Sequence, residues 1–369
     1  MVTEPARPGR TKSSEYMLWA KTRSQSPFNL ASSGVANYAL GDLQARLEDL
    51  DLSGPSAYGY APLQDALARH TGGPPECVVA ATGTSMANHL VMAALLEPGD
   101  EVLIEHPAYE PLVAVAEYLG ADVKRFARRF EDNFSVDPDE IECAASPRTR
   151  LIVLTNLHNP SSALVMEDTL LRVGELALKS GARVLVDEVY LDVLFERAPR
   201  TAFELGGQFV VTNSLTKVYG LSGLRCGWVL AEPELAARLW RLNDLFGVIP
   251  AHAAERLSVV ALENLPHIAE RSRALLEENR RLLNSFLFSR DDLEHYEQGF
   301  GTVSFPRLRH GTARELCALL AEKYETSVVP GDFFGMPEHI RVGVGGETDA
   351  LRGGLERLGA ALDELRAGR

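Results

Sequence analysis

Six short apolar runs recur along the first two thirds of the chain, and amphipathic segments separate several of them. The runs are CVVA from residue 77, EVLI from 101, RLIVL from 150, RVLVD from 183, FVVT from 209 and GWVL from 227. Runs of this kind are typical of strands that are buried on both faces, and the segments between them are typical of crossover helices. The pattern therefore predicts an α/β fold with a mostly parallel sheet.

The pattern changes after about residue 245. A charged helical stretch, PHIAERSRALLEENRRLLNSFL, precedes two short strand candidates, GTVSF and HIRVGV, and a final helix with leucines at 351, 355, 358, 362 and 365. A leucine stripe at helical spacing indicates core packing. We predict an N-terminal segment (1–45) that packs on both domains, a large domain (46–245) and a smaller α+β C-terminal domain (246–369).

Charge and cysteine usage limit the function classes. The chain carries 37 Lys plus Arg against 51 Asp plus Glu, a net charge of −14, and this balance argues against a nucleic-acid partner. Its four cysteines are far apart, which predicts reduced thiols without a zinc site or a disulfide framework. Neither a signal-peptide core nor an apolar run of about 18 residues occurs. These features predict a soluble cytoplasmic protein with no membrane partner.

The stretch VVAATGTSMANHLVMAALLEPGD, residues 78 to 100, contains a candidate anion site. A strand candidate leads through Gly83, Thr84 and Ser85 into a helix, so the free N–H groups of the first helical turn lie just beyond a strand end. Such an end can bind phosphate. Ordinary capping of the helix by Thr84 or Ser85 explains the same residues equally well.

Polar residues also follow two other strand candidates. Asn159 lies in TNLHNPSSAL, and Asp187 and Tyr190 lie in VLVDEVY. Because ligands of open α/β sheets bind beyond the carboxyl ends of the strands, these side chains are expected in one crevice. An aspartate at a strand end can also be a helix cap or a metal ligand, but no carboxylate or histidine cluster with metal-ligand spacing accompanies it, so we predict no metal.

The stretch NSLTKVYGLSGLRCGW, residues 213 to 228, carries two cations and no carboxylate. The loop after the FVVT strand would bring Ser214, Lys217 and Arg225 to the same crevice, around an anionic ligand. A Ser-x-x-Lys string also marks the nucleophile of penicillin-recognising enzymes. That family needs Ser-Asp-Asn and Lys-Thr-Gly downstream, and neither occurs after residue 217.

The motifs ATGTS, HPAY, HNPS, DEVY, SLTK and GLRCGW, in this order, resemble those of the class I/II aminotransferases, which depend on pyridoxal 5′-phosphate (PLP) and have fold type I. The resemblance covers nearly the whole chain from about residue 30. It implies a fold-type-I large domain with a mostly parallel sheet, PLP as cofactor, and a homodimer.

The resemblance also implies roles for individual residues. Lys217 would form the Schiff base with PLP, Asp187 would pair with the pyridine nitrogen, and Arg341 would bind the substrate α-carboxylate. Tyr190 and Asn159 would hydrogen-bond the ring oxygen of PLP, and Tyr109 would stack on the ring face. Gly34 and Asn159 would contact the substrate. The phosphate would be held by Gly83, Thr84, Ser85, Ser214 and Arg225.

The physical chemistry of these residue types agrees with such roles. A lysine amine can form a Schiff base and later act as a base. A buried carboxylate favours a protonated ring nitrogen, which withdraws electrons from the substrate. The planar fork of Arg225 suits a phosphate, and Gly220, Gly223 and Gly227 would let the backbone turn close to it.

The chain departs from the family at two places. The usual Asn-Pro-Ser/Thr-Gly is here Asn-Pro-Ser-Ser, residues 159 to 162, so the turn after the asparagine is uncertain. In SAYGY, Tyr58 and Tyr60 are both candidates for the tyrosine that reaches a neighbouring subunit's phosphate, and either can be a packing residue instead.

Other candidates have simpler interpretations. Gly34 can be an ordinary turn glycine, and Arg341 a solvated surface charge. His106 and His158 are candidates for general bases, but we expect a supporting hydrogen-bond role because Lys217 already supplies the base. Trp19 is a candidate for the lining of the substrate pocket, although core packing is the simpler interpretation.

These features predict an aminotransferase that moves an amino group from an L-amino acid to a 2-oxo acid by a ping-pong route. A PLP-dependent β-elimination lyase, or another biosynthetic PLP enzyme, would share nearly all of these residues. A regulator with an aminotransferase-like sensor domain would need an N-terminal winged helix, and only about 45 residues precede the predicted large domain.

Overall fold

The computed structural model describes residues 10–55, 57–297 and 299–367. Its helices are α1 Glu15–Thr22, α2 Ala61–Thr71, α3 Gly83–Leu95, α4 Glu110–Leu119, α5 Pro138–Ala144, α6 Glu167–Ser180, α7 Pro233–Asn243, α8 His252–Glu263, α9 Leu265–Phe288, α10 Ala313–Lys323 and α11 Thr348–Ala367. Its strands are β1 Phe28–Asn29, β2 Val78–Thr82, β3 Glu101–His106, β4 Asp122–Ala127, β5 Thr149–Thr155, β6 Arg183–Asp187, β7 Phe209–Ser214, β8 Cys226–Leu230, β9 Leu293–Glu294, β10 Val303–Ser304, β11 Arg307–Leu308, β12 Thr326–Ser327, β13 Val329–Pro330 and β14 Ile340–Gly343.

A seven-stranded sheet in the order β2-β8-β7-β6-β5-β3-β4 forms the centre of the protein. All of its pairings are parallel except the two made by β8, which runs antiparallel to β2 and β7. Helix α3 contacts five strands of this sheet, β2, β5, β6, β7 and β8, and α6 contacts β5 and β6. The predicted α/β fold with a mostly parallel sheet is therefore confirmed.

All six strands expected from the apolar runs are present, and the sheet has one further strand, β4. This strand reads DVKRFA and lies at the sheet edge, where only Phe126 is fully buried. An edge strand needs no continuous apolar run because one side faces solvent. The apolar pattern therefore did not reveal it.

The strand register places the polar ends of the central strands in one row. Thr155 of β5 is paired with Asp187 of β6, and Asp187 is paired with Thr212 of β7. On the neighbouring antiparallel pair, Ser214 lies opposite Gly227. The side chains at this edge therefore share one crevice.

The C-terminal part contains small sheets and long helices. Strands β10, β14 and β13 form one sheet, and β9 pairs with β11. The charged stretch forms α9, and Leu351, Leu355, Leu358 and Leu362 of α11 are buried, as their spacing predicted.

The described residues of the N-terminal segment contact both parts of the protein. Strand β1 pairs in parallel with β12, whereas α1 contacts α4. Residues 1–9 of this predicted segment and residues 368–369 of the predicted small domain lie outside the described residues. Helix α8 packs on α2 and β8. The boundaries at 45/46 and 245/246 remain predictions.

No helix in the described ranges is long and apolar enough to cross a membrane. Within the same ranges, no group of three or more His, Cys, Asp or Glu side chains has the arrangement of a metal site.

Candidate active site

A cavity of about 370 Å³ opens at the carboxyl ends of the parallel strands. Nine of the ten predicted cofactor-binding residues line it, namely Thr84, Ser85, Tyr109, Asn159, Asp187, Tyr190, Ser214, Lys217 and Arg225. The tenth, Gly83, begins α3 immediately beside it. The fold thus brings together residues that are separated by up to 141 positions in the sequence.

Lys217 lies on the loop after β7, and its amine reaches into the cavity. Its Nζ donates a hydrogen bond to Ser33 Oγ at 3.2 Å. Burial lowers the pKa of Lys217, and the nearby guanidinium groups of Arg341 and Arg225 act in the same direction. A lowered pKa leaves more of the amine uncharged at neutral pH, which is the form that attacks a carbonyl carbon.

Asp187 ends β6 and is almost fully buried, with 4% of its surface exposed. Its Oδ2 accepts a hydrogen bond of 2.8 Å from Asn88 Nδ2, and its Oδ1 accepts one of 3.1 Å from the Val189 amide. Burial raises the pKa of Asp187 to about 6. Among the described residues this carboxylate forms no ion pair, although the charge of Lys217 lowers its pKa, and it suits a protonated ring nitrogen.

Asn88 was not predicted as a site residue. It lies on the sheet-facing side of α3, and its Oδ1 accepts a 2.6 Å hydrogen bond from Thr212 Oγ1. Thr212 thereby fixes the amide so that its NH₂ group points at Asp187. An asparagine among the apolar residues of MANHLVM was the available signal, because a buried polar side chain requires a partner.

Arg341 of β14 is fully buried, so the interpretation as a solvated surface charge is wrong. Its Nη1 donates to Asn159 Oδ1 at 2.9 Å, and its Nη2 donates to Tyr16 OH and to Ala31 O, both at 2.9 Å. Arg341 Nε is buried and has no partner among the described residues. The guanidinium lies behind Asn159 and Tyr16, which line the cavity, rather than in its wall.

A buried ion pair supports the Asn159 loop. Glu105 Oε1 accepts hydrogen bonds from Thr155 N and Oγ1 at 2.8 and 2.6 Å. Thr155 Oγ1 in turn accepts a hydrogen bond from the backbone N–H of Asn159 at 3.0 Å. Arg128 Nη1 donates to Glu105 Oε2 at 2.6 Å. Burial raises the pKa of Glu105, and Arg128 opposes that change. Sequence reasoning missed Glu105 and Arg128, because neither belongs to a motif.

The first turn of α3 forms the cationic end of the cavity. Gly83 has φ of 78°, and a Cβ there would overlap the Arg225 guanidinium. Arg225 is exposed, and within the described part of the chain its Nη1 and Nη2 donate only to the carbonyls of Ser222 and Thr82, at 3.4 and 3.3 Å. Most of its hydrogen-bonding capacity is therefore available to a ligand.

Two buried hydroxyl groups in the same wall, Thr84 Oγ1 and Thr216 Oγ1, have no hydrogen-bond partner among the described residues. Buried hydroxyl groups usually have partners, so both are available to a polar ligand in the cavity. Together with the free N–H groups of α3 and with Arg225, they suit a phosphate. The residues of this end therefore fit the phosphate of PLP.

The glycines of the SLTK loop differ in what they do. A Cβ on Gly227 would overlap the backbone of Gly83, and Gly220 has φ of 68°. Gly223 has open space around its Cα. Gly220 and Gly227 therefore lie at close approaches to other backbone, Ala36 and Gly83 respectively, whereas Gly223 does not, and their place next to a phosphate stays a prediction.

The remaining predicted contacts are near the cavity. Tyr109 lies edge-on to Tyr16, with ring centroids 5.5 Å apart, and burial raises its pKa. Tyr190 donates to Ser33 Oγ at 2.9 Å. Gly34 does not line the cavity, but a Cβ at this residue would lie 3.5 Å from Lys217 Cδ.

The histidines and tyrosines outside the cavity have local partners. Both ring nitrogens of His158 are engaged, with Ser161 Oγ at 2.6 Å and Pro107 O at 2.9 Å, which is the supporting role that we predicted. Tyr58 OH donates to Asp244 at 2.8 Å, and Tyr60 lies edge-on to His252. Trp19, for which we expected core packing, is half-buried and lines the cavity.

Comparisons with known proteins agree with this geometry. The family described as aminotransferase class I and II matches residues 46–358. Capreomycidine synthase from Streptomyces vinaceus is 31% identical over 365 residues, which cover 95% of this chain and 94% of that protein. Arginine–pyruvate transaminase AruH from Pseudomonas aeruginosa is 29% identical, over 79% of this chain and 76% of that protein. A PLP-dependent aminotransferase structure from Streptococcus suis 89-1591 superposes with a TM-score of 0.89 at 26% identity, over 95% of this chain and 97% of the other.

Proposed function

This chain belongs to the class I and II aminotransferase family and is a PLP-dependent enzyme, and from that premise we propose that it moves an amino group between an L-amino acid and a 2-oxo acid. The convergence of Lys217, Asp187 and Asn159 on one cavity, with two unpartnered hydroxyl groups at its cationic end, is the observation that carries this proposal.

PLP, when bound, withdraws the electrons that remain on the substrate Cα after its proton departs. In our proposal the amine of Lys217 would hold the cofactor and, when free, would take and return the proton at the substrate Cα. Asp187 favours the protonated ring nitrogen, and Asn88 holds the carboxylate in place. Tyr190 and Asn159 would orient the ring by hydrogen bonds, and Tyr109 would hold the ring face.

The substrate carboxylate would be held by Arg341. The guanidinium is bonded to Asn159, Tyr16 and the Ala31 carbonyl and does not itself line the cavity, so the carboxylate would reach it by taking the place of the Asn159 or the Tyr16 bond. Because the site is buried, a charge-assisted hydrogen bond there is stronger than the same bond in water. We propose that this bond selects amino acids over simple amines.

The test is a half-reaction in the absence of a 2-oxo acid. Each amino acid of a panel is added to the enzyme, and a transaminase converts its cofactor once, to the pyridoxamine form, after which 2-oxoglutarate or pyruvate reverses the change. Borohydride treatment followed by mass spectrometry should find the pyridoxyl group on Lys217. A pyridoxyl group on another lysine would disprove the site assignment.

A second candidate function keeps the cofactor and changes the bond that breaks. A β-eliminating lyase or another biosynthetic PLP enzyme would use the same residues, and the similarity to capreomycidine synthase over 95% of this chain favours it. In the half-reaction it would give continuous product release without any 2-oxo acid. Continuous release of pyruvate and ammonia would identify the lyase.

We also propose a homodimer. Leu47, Leu52, Leu245, Phe246 and Val248 are all exposed, with Leu52 at 90%. Helix α8 contacts both the turn at 47–50 and the turn at 222–224, which precedes Arg225. A second copy on this surface would therefore bury apolar area next to the end of the cavity formed by Arg225 and α3. The partner's Tyr58 or the partner's Tyr60 would there reach the phosphate of the cofactor.

Light scattering of a Leu52→Glu variant tests this proposal, because a charge in an apolar interface favours the monomer. Leu178→Glu is the matched control, since Leu178 is also exposed but lies on α6. An active wild-type monomer at the assay concentration would refute the dimer.

The proposal includes a location in the cytoplasm. All four cysteines are unpaired, and the cytoplasm keeps thiols reduced. Cell fractionation with an antibody against the protein is the direct check.

A further inference from the structure

Ser33 has contacts that its position in the sequence did not reveal. Its side chain is buried, with 6% exposed, and its Oγ accepts one hydrogen bond from Tyr190 OH at 2.9 Å and another from Lys217 Nζ at 3.2 Å. It also lines the active-site cavity. One hydroxyl group therefore joins the lysine and the tyrosine of the site.

The hydrogen-bonding capacity of a serine hydroxyl limits what Ser33 can do. The oxygen accepts at most two hydrogen bonds and donates one, so in this arrangement both lone pairs are used and the O–H is free to point into the cavity. If Tyr190 turns its own hydrogen towards a ligand, the Ser33 hydroxyl can rotate and donate to the Tyr190 oxygen instead. Only hydroxyl hydrogens move in this exchange.

The neighbouring Ser32 shows that the contact is specific. Ser32 lines the same cavity but is exposed, and in the described ranges its Oγ accepts one hydrogen bond, from the Gly34 backbone N–H at 3.4 Å. The backbone of Ser33 is held separately, because its carbonyl accepts Thr302 Oγ1 at 2.8 Å. Loss of the Ser33 hydroxyl therefore leaves the hydrogen bond between its carbonyl and Thr302 intact.

We infer that Ser33 is a positioning residue that holds the free Lys217 amine next to Tyr190 and orients the Tyr190 hydroxyl. The inference rests on the proposed function, in which Lys217 is alternately bonded and free. While the amine is free, Ser33 keeps it at one place in the cavity instead of letting its flexible stem sample several rotamers.

The charged surroundings of Lys217 set the direction of the expected change. Asp187 from β6 favours the charged amine, whereas Arg225 and Arg341 oppose it, and the phenols of Tyr16 and Tyr190 are its other titratable neighbours. Ser33 Oγ accepts from the amine and so favours the ammonium form. Its removal should lower the pKa of Lys217 further.

The first test uses the full chain from which the cofactor has been removed. Lys217 is labelled briefly with acetic anhydride over a range of pH, and the extent of labelling is measured by mass spectrometry. For Ser33→Ala we expect the midpoint to fall by about one pH unit, which is a roughly tenfold faster labelling at a fixed pH below the midpoint. Ser33→Thr, which keeps the hydroxyl, should restore the wild-type midpoint.

Ser32→Ala is the matched control and should leave the midpoint unchanged. An unchanged midpoint in Ser33→Ala, or an equal change in Ser32→Ala, would overturn the inference. The measurement needs no cofactor and no substrate, so it remains valid even if the enzyme proves not to be a transaminase.

The second test uses the loaded enzyme. The pH midpoint of the cofactor's absorbance should shift in Ser33→Ala and not in Ser32→Ala, because of these two serines it is Ser33 that forms the hydrogen bond with Tyr190. A shift of equal size in both variants would assign it to the general polarity of the cavity and refute the role of Ser33.

Discussion

Replacement of Asp187 by asparagine should stabilise the cofactor-free protein at neutral pH. Burial raises the pKa of this carboxyl from its usual 3.8 to about 6, and the charge of Lys217 offsets that rise only in part, so the folded protein holds a carboxylate at a cost. The difference of about two pH units corresponds to about 3 kcal/mol of unfolding free energy. An amide of the same size carries no charge and avoids this cost.

The sign of the pH dependence follows from linkage. Between pH 4 and 6 the folded state binds the proton more tightly than the unfolded state, so the wild type loses stability as the pH rises through this window. The full cost is present above pH 6 and disappears below pH 4. At pH 5 about half of the 3 kcal/mol remains.

The assay is thermal unfolding of the cofactor-free protein. For a chain of 369 residues, the unfolding entropy is about 0.8 kcal/mol per degree, so 3 kcal/mol shifts Tm by about 4 °C. We expect Asp187→Asn to unfold about 4 °C above the wild type at pH 8 and about 2 °C above it at pH 5. Asp349→Asn, at an exposed residue of α11, is the control and should change little.

Addition of PLP should reverse the order of the two Tm values, so that the wild type unfolds at a higher temperature than Asp187→Asn. The protonated ring nitrogen would pair with the Asp187 carboxylate but not with an amide, so the cofactor should raise the Tm of the wild type more than that of the variant. A Tm difference that is the same at pH 5 and pH 8, or a variant less stable than the wild type at pH 8, would refute the argument that the carboxylate is buried at a cost.

Three further predictions concern other parts of the site. Arg341→Ala should lower kcat/KM for amino acids by about 10- to 150-fold, with a smaller loss for amines that lack a carboxylate, and steady-state kinetics on both substrate types decides this. Glu105→Gln should lower the free energy of unfolding by about 3 to 5 kcal/mol, because Arg128 is left buried without a counter-charge. Thermal unfolding should show a Tm about 4 to 6 °C lower, and an unchanged Tm would contradict this prediction. Ser162→Gly should leave Tm within about 1 °C of the wild type, because glycine adopts the φ of 63° without backbone strain and this gain offsets the lost hydrogen bond to Val303 O. Ser162→Ala loses the same hydrogen bond and keeps the backbone strain, so it should be less stable than the wild type.

The sequence was sufficient for the features that depend on short stretches of chain. Each of the six apolar runs is a strand, and the rule that ligands bind beyond the carboxyl ends of parallel strands brought Asn159, Asp187 and Lys217 to one cavity. These predictions succeed because residue spacing within a strand, a turn or a motif is a local property. The resemblance to a family added the expected roles, which the proposed experiments test.

Only the tertiary structure brought in the groups that support those residues. Asn88 reaches Asp187 from a helix, and Tyr16 meets Arg341 across 325 positions of the sequence. Ser33 meets Lys217 across 184 positions. No local pattern marks such pairs, since each residue is an ordinary serine, asparagine or tyrosine in its own segment. Their partners are set by how the N-terminal segment, the sheet and the C-terminal strands pack together, because a buried hydrogen bond depends on distances that the chain acquires only when it folds.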